Sequence, residues 1–180
     1  RCVASLLMAE KGGDHVVIET AAGLLDADKG GGELISVDMG RARLDWRDIP
    51  LEQATDTLHL LISEKGLSDG CAVNMGNPHL VFFVEDVEAV PLDVVGPRLE
   101  RHKMFPQRTN VGIAQVIAPD RLRLRVWERG AGITQACGSG ACAALVAANR
   151  RGLCDKKAEI ELDGGILAIE WLNDEHVLMT

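Results

Sequence analysis

The run Gly138-Ser139-Gly140-Ala141-Cys142-Ala143-Ala144-Leu145-Val146-Ala147-Ala148 places small or apolar side chains at every angular position of a helix. A helix without a polar face has to be covered on all sides. The pattern therefore predicts a helix over 140–151 in the interior of the fold. Two more helices are predicted, over 2–11 and 92–102. The first is also rich in small residues and is expected to be packed on all sides, whereas the second is amphipathic and is expected on the outside.

The opening segment, Arg1-Cys2-Val3-Ala4-Ser5-Leu6-Leu7-Met8-Ala9-Glu10-Lys11-Gly12, resembles the stretch from Ala141 to Gly152. Both pair a cysteine with a short apolar helix that stops at a basic residue and a glycine. Each is followed by a β-rich run with a small-residue turn, Ile18 to Leu25 in one copy and Ile160 to Leu167 in the other. This reads as an internal repeat and predicts two related lobes. The boundary is expected near Met39-Gly40, with 1–40 the remnant of a first lobe and 41–180 a second. In that alignment the counterpart of Cys137 falls five residues before Cys2, so the chain reads as a fragment whose first lobe is truncated.

Strands are expected to outnumber helices. Leu122, Leu124 and Val126 alternate with Arg121, Arg123 and Arg125, the period of a strand with one buried face. The arginines are read as a solvated outer face in preference to a phosphate-binding stripe. Asp26-Ala27-Asp28-Lys29-Gly30-Gly31-Gly32 reads as a loop joining two strands, and Asp163-Gly164-Gly165 as a tighter hairpin turn.

Composition narrows the class. A 180-residue chain with 47% hydrophobic residues can bury a sizeable core, and a net charge of −8 disfavours nucleic acid and anionic membrane as partners. No apolar run reaches the roughly 20 residues that a membrane helix needs. The five cysteines, Cys2, Cys71, Cys137, Cys142 and Cys154, form neither a disulfide framework nor a metal spacing, and reduced thiols in a cytoplasm fit best. No segment suggests a P-loop or a dinucleotide fold.

The chemistry concentrates at Cys137. Glycines at 138 and 140 allow a ligand close to the backbone, and the unpaired N–H groups at the helix start can hold an anion. The same field is expected to lower the pKa of the thiol, making Cys137 a candidate base or nucleophile. The alternative is a buried cysteine beside a tight turn. Cys142, about 140° around the helix from Cys137, is read as packing, as is Cys2 by the repeat, and Cys71 and Cys154 as structural.

The stretch from Glu128 to Ala144, with Met75-Gly76-Asn77-Pro78-His79, Asn110-Val111-Gly112 and Arg1-Cys2, resembles the diaminopimelate epimerases over nearly the whole chain. Their first lobe carries a Cys-Gly-Asn-Gly-x-Arg-Cys motif, of which only the last two residues are present, as Arg1-Cys2. The resemblance implies an α+β fold of two pseudo-symmetric lobes, each a mostly antiparallel sheet wrapped around a central helix, with the active site where the two helix N-termini meet. It implies a cofactor-independent interconversion of LL- and meso-2,6-diaminopimelate for lysine and cell-wall synthesis, by enzymes that often dimerise. Diaminopimelate is the implied small-molecule partner. A carbanion at the α-carbon without a pyridoxal sink needs preorganised donors at the substrate carboxylate, and two opposed helix N-termini meet that need.

Carried onto this chain, the resemblance makes Cys137 one of two acid/base thiols, with His79 and Glu128 tuning the thiols and assisting proton transfer. Asn77, Asn110, Glu128 and Arg129 would contact the substrate, the asparagines and Arg129 at its distal amino-acid end, while the backbone N–H groups of Gly138 and Ser139 would hold the reacting carboxylate. On the residues alone, His79 also reads as a turn histidine bonding backbone, and Glu128 with Arg129 as a surface ion pair. A same-fold racemase acting on proline or hydroxyproline is the alternative enzyme, which Asn77, Asn110 and Arg129 argue against. A non-catalytic domain binding an amino acid or carboxylate is the alternative of a different class. Without the leading thiol of the first lobe, the chain is expected to be catalytically incomplete.

Overall fold

The computed structural model describes residues 1–20, 23–30 and 34–180. In chain order the elements are α1 (Cys2–Lys11), β1 (His15–Thr20), β2 (Gly23–Lys29), β3 (Ile35–Arg41), β4 (Cys71–Asn74), β5 (Pro78–Phe83), α2 (Leu92–Glu100), β6 (Asn110–Ala118), β7 (Arg121–Glu128), β8 (Gly132–Thr134), α3 (Gly138–Arg150), β9 (Lys157–Leu162), β10 (Gly165–Trp171) and β11 (His176–Met179). The strands form one sheet in the order β1-β2-β3-β11-β10-β9-β7-β6-β5-β4, with β8 paired to β7. The β5–β6 and β7–β9 pairs are parallel and the other pairs antiparallel. The fold is α+β, as expected.

The sheet curls around α3. Every residue of this helix from Gly140 to Ala148 is buried, and it packs against β4 to β7 on one side and β9 to β11 on the other. Small side chains make this fit: alanine at 141, 143, 144, 147 and 148 keeps the helix thin enough for strands to approach from several directions. One core lies between α3 and the inner face of the sheet, and includes Leu122, Leu124 and Val126 of β7. A second core lies outside β5 and β6, where Leu80, Phe82, Val111 and Ile113 meet Leu92, Val95 and Leu99 of α2. As predicted, α2 is the amphipathic outer helix. The predicted tight turn is also present, with Asp163 and Gly164 linking β9 to β10 through the Leu162–Gly165 pair.

Three expectations change. In α1 only Ala4 and Met8 are buried, while Cys2, Val3 and Leu6 are exposed, so this helix is covered along a single stripe at four-residue spacing rather than on all sides. The segment Asp26 to Lys29 is strand, not loop. Ala27 is buried while Asp26 and Asp28 lie 3.6 Å and 2.8 Å from His15 on the outer face, the alternation of a half-buried strand. Gly31 and Gly32 of that segment, and Ala21 and Ala22 of the small-residue turn, lie outside the described residues. Finally, of the β7 arginines Arg121 is exposed as expected, but Arg123 and Arg125 are not freely solvated. The side chains of Arg123 and Arg125 are 17% and 18% exposed, because the chain around 87–90 lies over them. Arg123 pairs with Glu88 at 2.8 Å and with Asp163, and Arg125 donates to the carbonyls of Val87 and Val90 at 2.9 and 3.3 Å.

Met39 and Gly40 fall inside β3, which pairs with β2 through Ile35 to Val37 and with β11 through Val37 to Arg41. His176 Nδ1 on β11 donates to the Asp38 carboxylate on β3 at 2.7 Å, adding a side-chain link to that junction. No helix among the described residues is long and apolar enough to cross a membrane.

Candidate active site

The residues singled out above converge at the N-terminus of α3. Cys137 is the N-cap, in extended conformation (φ −136°, ψ 106°), and its carbonyl accepts the first helical bond from Ala141 N–H at 2.9 Å. The amides of the first turn have no intrahelical acceptor, so the N–H groups of Gly138 and Ser139 are the donors this end of the helix can offer. Space explains the glycines. A Cβ at Gly138 would come 2.8 Å from Met179 Sδ, and one at Gly140 would stand 3.2 Å from Cys137 Sγ and 3.4 Å from Val126 Cγ2.

Three strand ends bring the other groups. β5 begins at Pro78 and carries His79, β6 begins at Asn110, and the parallel pairing of β5 with β6 sets His79 opposite Asn110. β7 ends at Glu128, and the hairpin Arg129-Gly130-Ala131 returns the chain through Gly132 into β8. Gly130 and Gly132 have φ of 79° and 87°, which a tight return of this kind needs.

A chain of contacts links the side chains. Cys137 Sγ is 3.7 Å from Ser139 Oγ, Ser139 Oγ is 3.1 Å from His79 Nε2, and His79 Nε2 is 2.9 Å from Asn77 Oδ1. His79 is 1% exposed; burial, with the Arg129 guanidinium nearby, pushes its pKa down to about 3. The ring is therefore neutral near pH 7. With Asn77 Oδ1 as acceptor its proton is assigned to Nε2, and Ser139 Oγ shares it, which frees the Ser139 hydroxyl hydrogen to point at the thiol.

Cys137 departs from the expectation drawn from the helix terminus alone. Its thiol is raised to about 11, first by burial and then by the negative charge of Glu128; the Ser139 hydroxyl and the Gly140 N–H act in the opposite direction but do not outweigh them. Removal of the thiol from water next to a carboxylate wins over the first-turn donors. Near neutral pH the residue is therefore a thiol. Glu128 itself is steadied by Thr134, whose hydroxyl donates to it at 2.6 Å.

Asn110 and Arg129 form the next layer. The Asn110 amide is 2% exposed, donating from Nδ2 to the Pro78 carbonyl at 2.9 Å and accepting the Arg129 N–H on Oδ1 at 2.9 Å. It thereby ties the start of β5 to the β7–β8 turn. The exposed Arg129 guanidinium donates to the Gln107 carbonyl at 2.9 Å. A cavity of about 580 Å³, lined by Leu25, Met39, Arg43, Asp48, Met75 and Gly76 among others, opens beside the loop that carries Asn77.

Two contributors escaped the sequence reading. Thr134 has no local signature, since its role is set by a partner across a hairpin. Glu100 accepts from Trp127 Nε1 at 2.7 Å and from the Gly130 N–H at 3.2 Å. Its signal was present: positions 92, 96 and 99 define the buried stripe of α2, and 100 falls on it. Cys142 is fully buried in the core, as its helical angle implied, whereas Cys2 is exposed.

Comparison with known proteins follows the same line. The family model for diaminopimelate epimerase matches residues 71–180, which hold every residue of this cluster. The chain is 59% identical over 180 residues to the diaminopimelate epimerase of Rhodospirillum centenum, covering all of this chain and 62% of that protein. It is 54% identical over 179 residues to that of Acidiphilium cryptum, covering 99% of this chain and 65% of that protein. The chain thus spans less than two thirds of the length of these relatives. Among solved structures, a hydroxyproline epimerase from Agrobacterium vitis with bound trans-4-hydroxy-L-proline aligns with a TM-score of 0.65 at 15% identity, over 99% of this chain and 60% of that one. A "Predicted Epimerase" from Pseudomonas aeruginosa aligns at 0.63 and 19%, over 98% of this chain and 67% of that one. These two likenesses concern the fold. With the family match running through more than half of its length, the chain belongs to the diaminopimelate epimerase family.

Proposed function

We propose that this chain supplies one half of the catalytic apparatus of a cofactor-independent epimerase that interconverts LL- and meso-2,6-diaminopimelate. One observation carries the reading: Cys137 is the N-cap residue of a buried helix whose first-turn amides have no intrahelical acceptor, with Glu128 and the Ser139–His79 pair beside its thiol. A carboxylate held by the Gly138 and Ser139 amides would present its α-carbon to Cys137 Sγ, and the helix terminus would stabilise charge growing on that carboxylate.

The proton balance follows. One cysteine, as thiolate, takes the α-proton from one face; a second cysteine, as thiol, gives a proton to the opposite face, leaving the first protonated and the second deprotonated. Cys137 is the member of the pair in this chain. Its raised pKa makes it the proton donor of the resting state, and in the reverse direction it is the acceptor. Arg129, with Asn77 and Asn110, would read the distal amino-acid head. In this reading residues 1–40 belong to the first lobe and 41–180 to the second, and a second thiol comes from upstream of Arg1.

The test is to offer LL-diaminopimelate and L-proline to this chain and to a version extended upstream to the length of its relatives. The reading expects meso-diaminopimelate from the extended protein only, and no D-proline from either. Racemised proline with untouched diaminopimelate would overturn it in favour of a same-fold racemase.

A further inference from the structure

Glu100 takes no part in the chemistry above, yet among the described residues it is the only buried carboxylate, at 3% exposure. Removing a carboxylate from water is costly unless its oxygens are matched by donors. Here they are matched, and the donors are informative. Oε2 accepts the Trp127 indole N–H at 2.7 Å, Oε1 accepts the Gly130 backbone N–H at 3.2 Å, and the Arg108 guanidinium stands 3.7 Å from Oε1.

Two of these donors bracket the residues that matter. Trp127 immediately precedes Glu128, and Gly130 immediately follows Arg129. The Arg129 N–H is held by Asn110 Oδ1, so the two consecutive amides of the turn, 129 and 130, are each fixed by a buried side chain. The Trp127 ring is clamped as well. A Cβ at Gly96 would come within 2.5 to 2.7 Å of its Cδ2, Cγ and Cε3 atoms, and one at Gly132 within 3.6 to 4.0 Å of its Cη2, Cζ3 and Cζ2 atoms. The last turn of α2 and the end of β7 are thus locked through one indole and one carboxylate.

We propose that Glu100 is a positioning residue: its carboxylate fixes the Trp127 to Gly130 backbone, and through it the direction in which the Arg129 guanidinium is presented. The functional half of this statement rests on the substrate reading above, because Arg129 is taken to bind the distal end of diaminopimelate. Glutamine at 100 would keep one acceptor oxygen and turn an amide NH₂ toward the other donor, so the turn loses one of its holds without a change of volume.

The experiment compares wild type, Glu100→Gln and Trp127→Phe in the protein extended upstream, reading KM and kcat with diaminopimelate together with the backbone amide signals of Glu128, Arg129 and Cys137. For Glu100→Gln we expect KM to rise about tenfold while kcat stays within about twofold, the loss of one charge-assisted hydrogen bond expressed in substrate binding. The Glu128 and Arg129 amides should shift and the Cys137 amide should not. Trp127→Phe, which removes one donor and leaves the carboxylate, should raise KM in the same direction and serves if Glu100→Gln does not fold. An unchanged KM in a folded variant, or a fall in kcat with KM constant, overturns the proposal. If the wild type leaves diaminopimelate untouched while Glu100→Gln still moves the Glu128 and Arg129 amides, the substrate reading fails and the positioning stands. If those amides do not move, the positioning fails whatever the substrate.

Discussion

Ser139 and His79 are 60 positions apart in sequence, yet the Ser139 hydroxyl lies 3.1 Å from His79 Nε2. Because the same hydroxyl is 3.7 Å from Cys137 Sγ, the imidazole N–H donates to the hydroxyl and the hydroxyl donates to the sulfur. Such a line favours the thiolate, and it opposes the burial and the Glu128 charge that favour the neutral form.

Replacing Ser139 by alanine should therefore raise the Cys137 pKa still further. The loss of one hydrogen bond to the thiolate corresponds to roughly three- to tenfold less thiolate at any pH below the pKa. Alkylation of Cys137 by iodoacetamide between pH 8 and 10, followed by peptide mass spectrometry, should slow by that factor. Ser139→Thr, which keeps the hydroxyl, should restore the rate.

Glu128→Gln should move the same titration the other way. Removing a negative neighbour relieves the repulsion felt by the thiolate, so the pKa drops from about 11 toward the usual thiol range. Alkylation at pH 8 should accelerate at least about threefold, since each half-unit of pKa changes the thiolate fraction by roughly that amount. An unchanged or slower reaction would contradict the electrostatic account of Glu128.

His79 should leave a mark on stability as a function of pH. Its pKa in the folded state is about 3, below the ordinary value of 6.5, so between these limits the unfolded chain binds a proton that the folded chain refuses. Stability from this group is complete above pH 6.5 and declines as pH falls, by about 1.4 kcal/mol per unit. Urea unfolding of wild type and His79→Gln from pH 7 to 4.5 should show a steeper loss in the wild type. Parallel curves would mean the histidine is not held neutral.

Gly96 offers a purely steric test. Alanine in a helix interior is normally favoured over glycine by about 1 kcal/mol. At this position the new Cβ would stand 2.5 Å from the Trp127 ring, which α2 and the β7–β8 turn hold in place. Overpacking of this kind costs about 1–3 kcal/mol and should outweigh the propensity gain. The melting temperature of Gly96→Ala should fall by a few degrees; a rise would show that the ring can yield.

How much of this was legible in the sequence depends on the range of the physics involved. The interior helix at Gly138 to Arg150 was readable because all-round apolarity is a local property, and so were the Leu122, Leu124, Val126 strand face and the Asp163-Gly164 hairpin. The environment of Arg123 and Arg125 was not, because covering them takes Glu88 and the Val87 and Val90 carbonyls from a segment more than thirty residues away. At Cys137 the helix terminus was visible and the direction of its field correct, but the net shift is decided by burial and by Glu128, which tertiary packing sets. The cover on α1 likewise depends on neighbouring elements, which its small residues alone do not specify.

The account stands or falls on the thiol of Cys137. NMR of LL-diaminopimelate in D₂O with the extended protein, beside its Cys137→Ser variant, follows both loss of the α-proton signal and formation of the meso isomer. The account predicts that the wild type incorporates deuterium and forms meso product, while Cys137→Ser forms none. Meso product from the variant at the wild-type rate would contradict the assignment of Cys137 as an acid/base group.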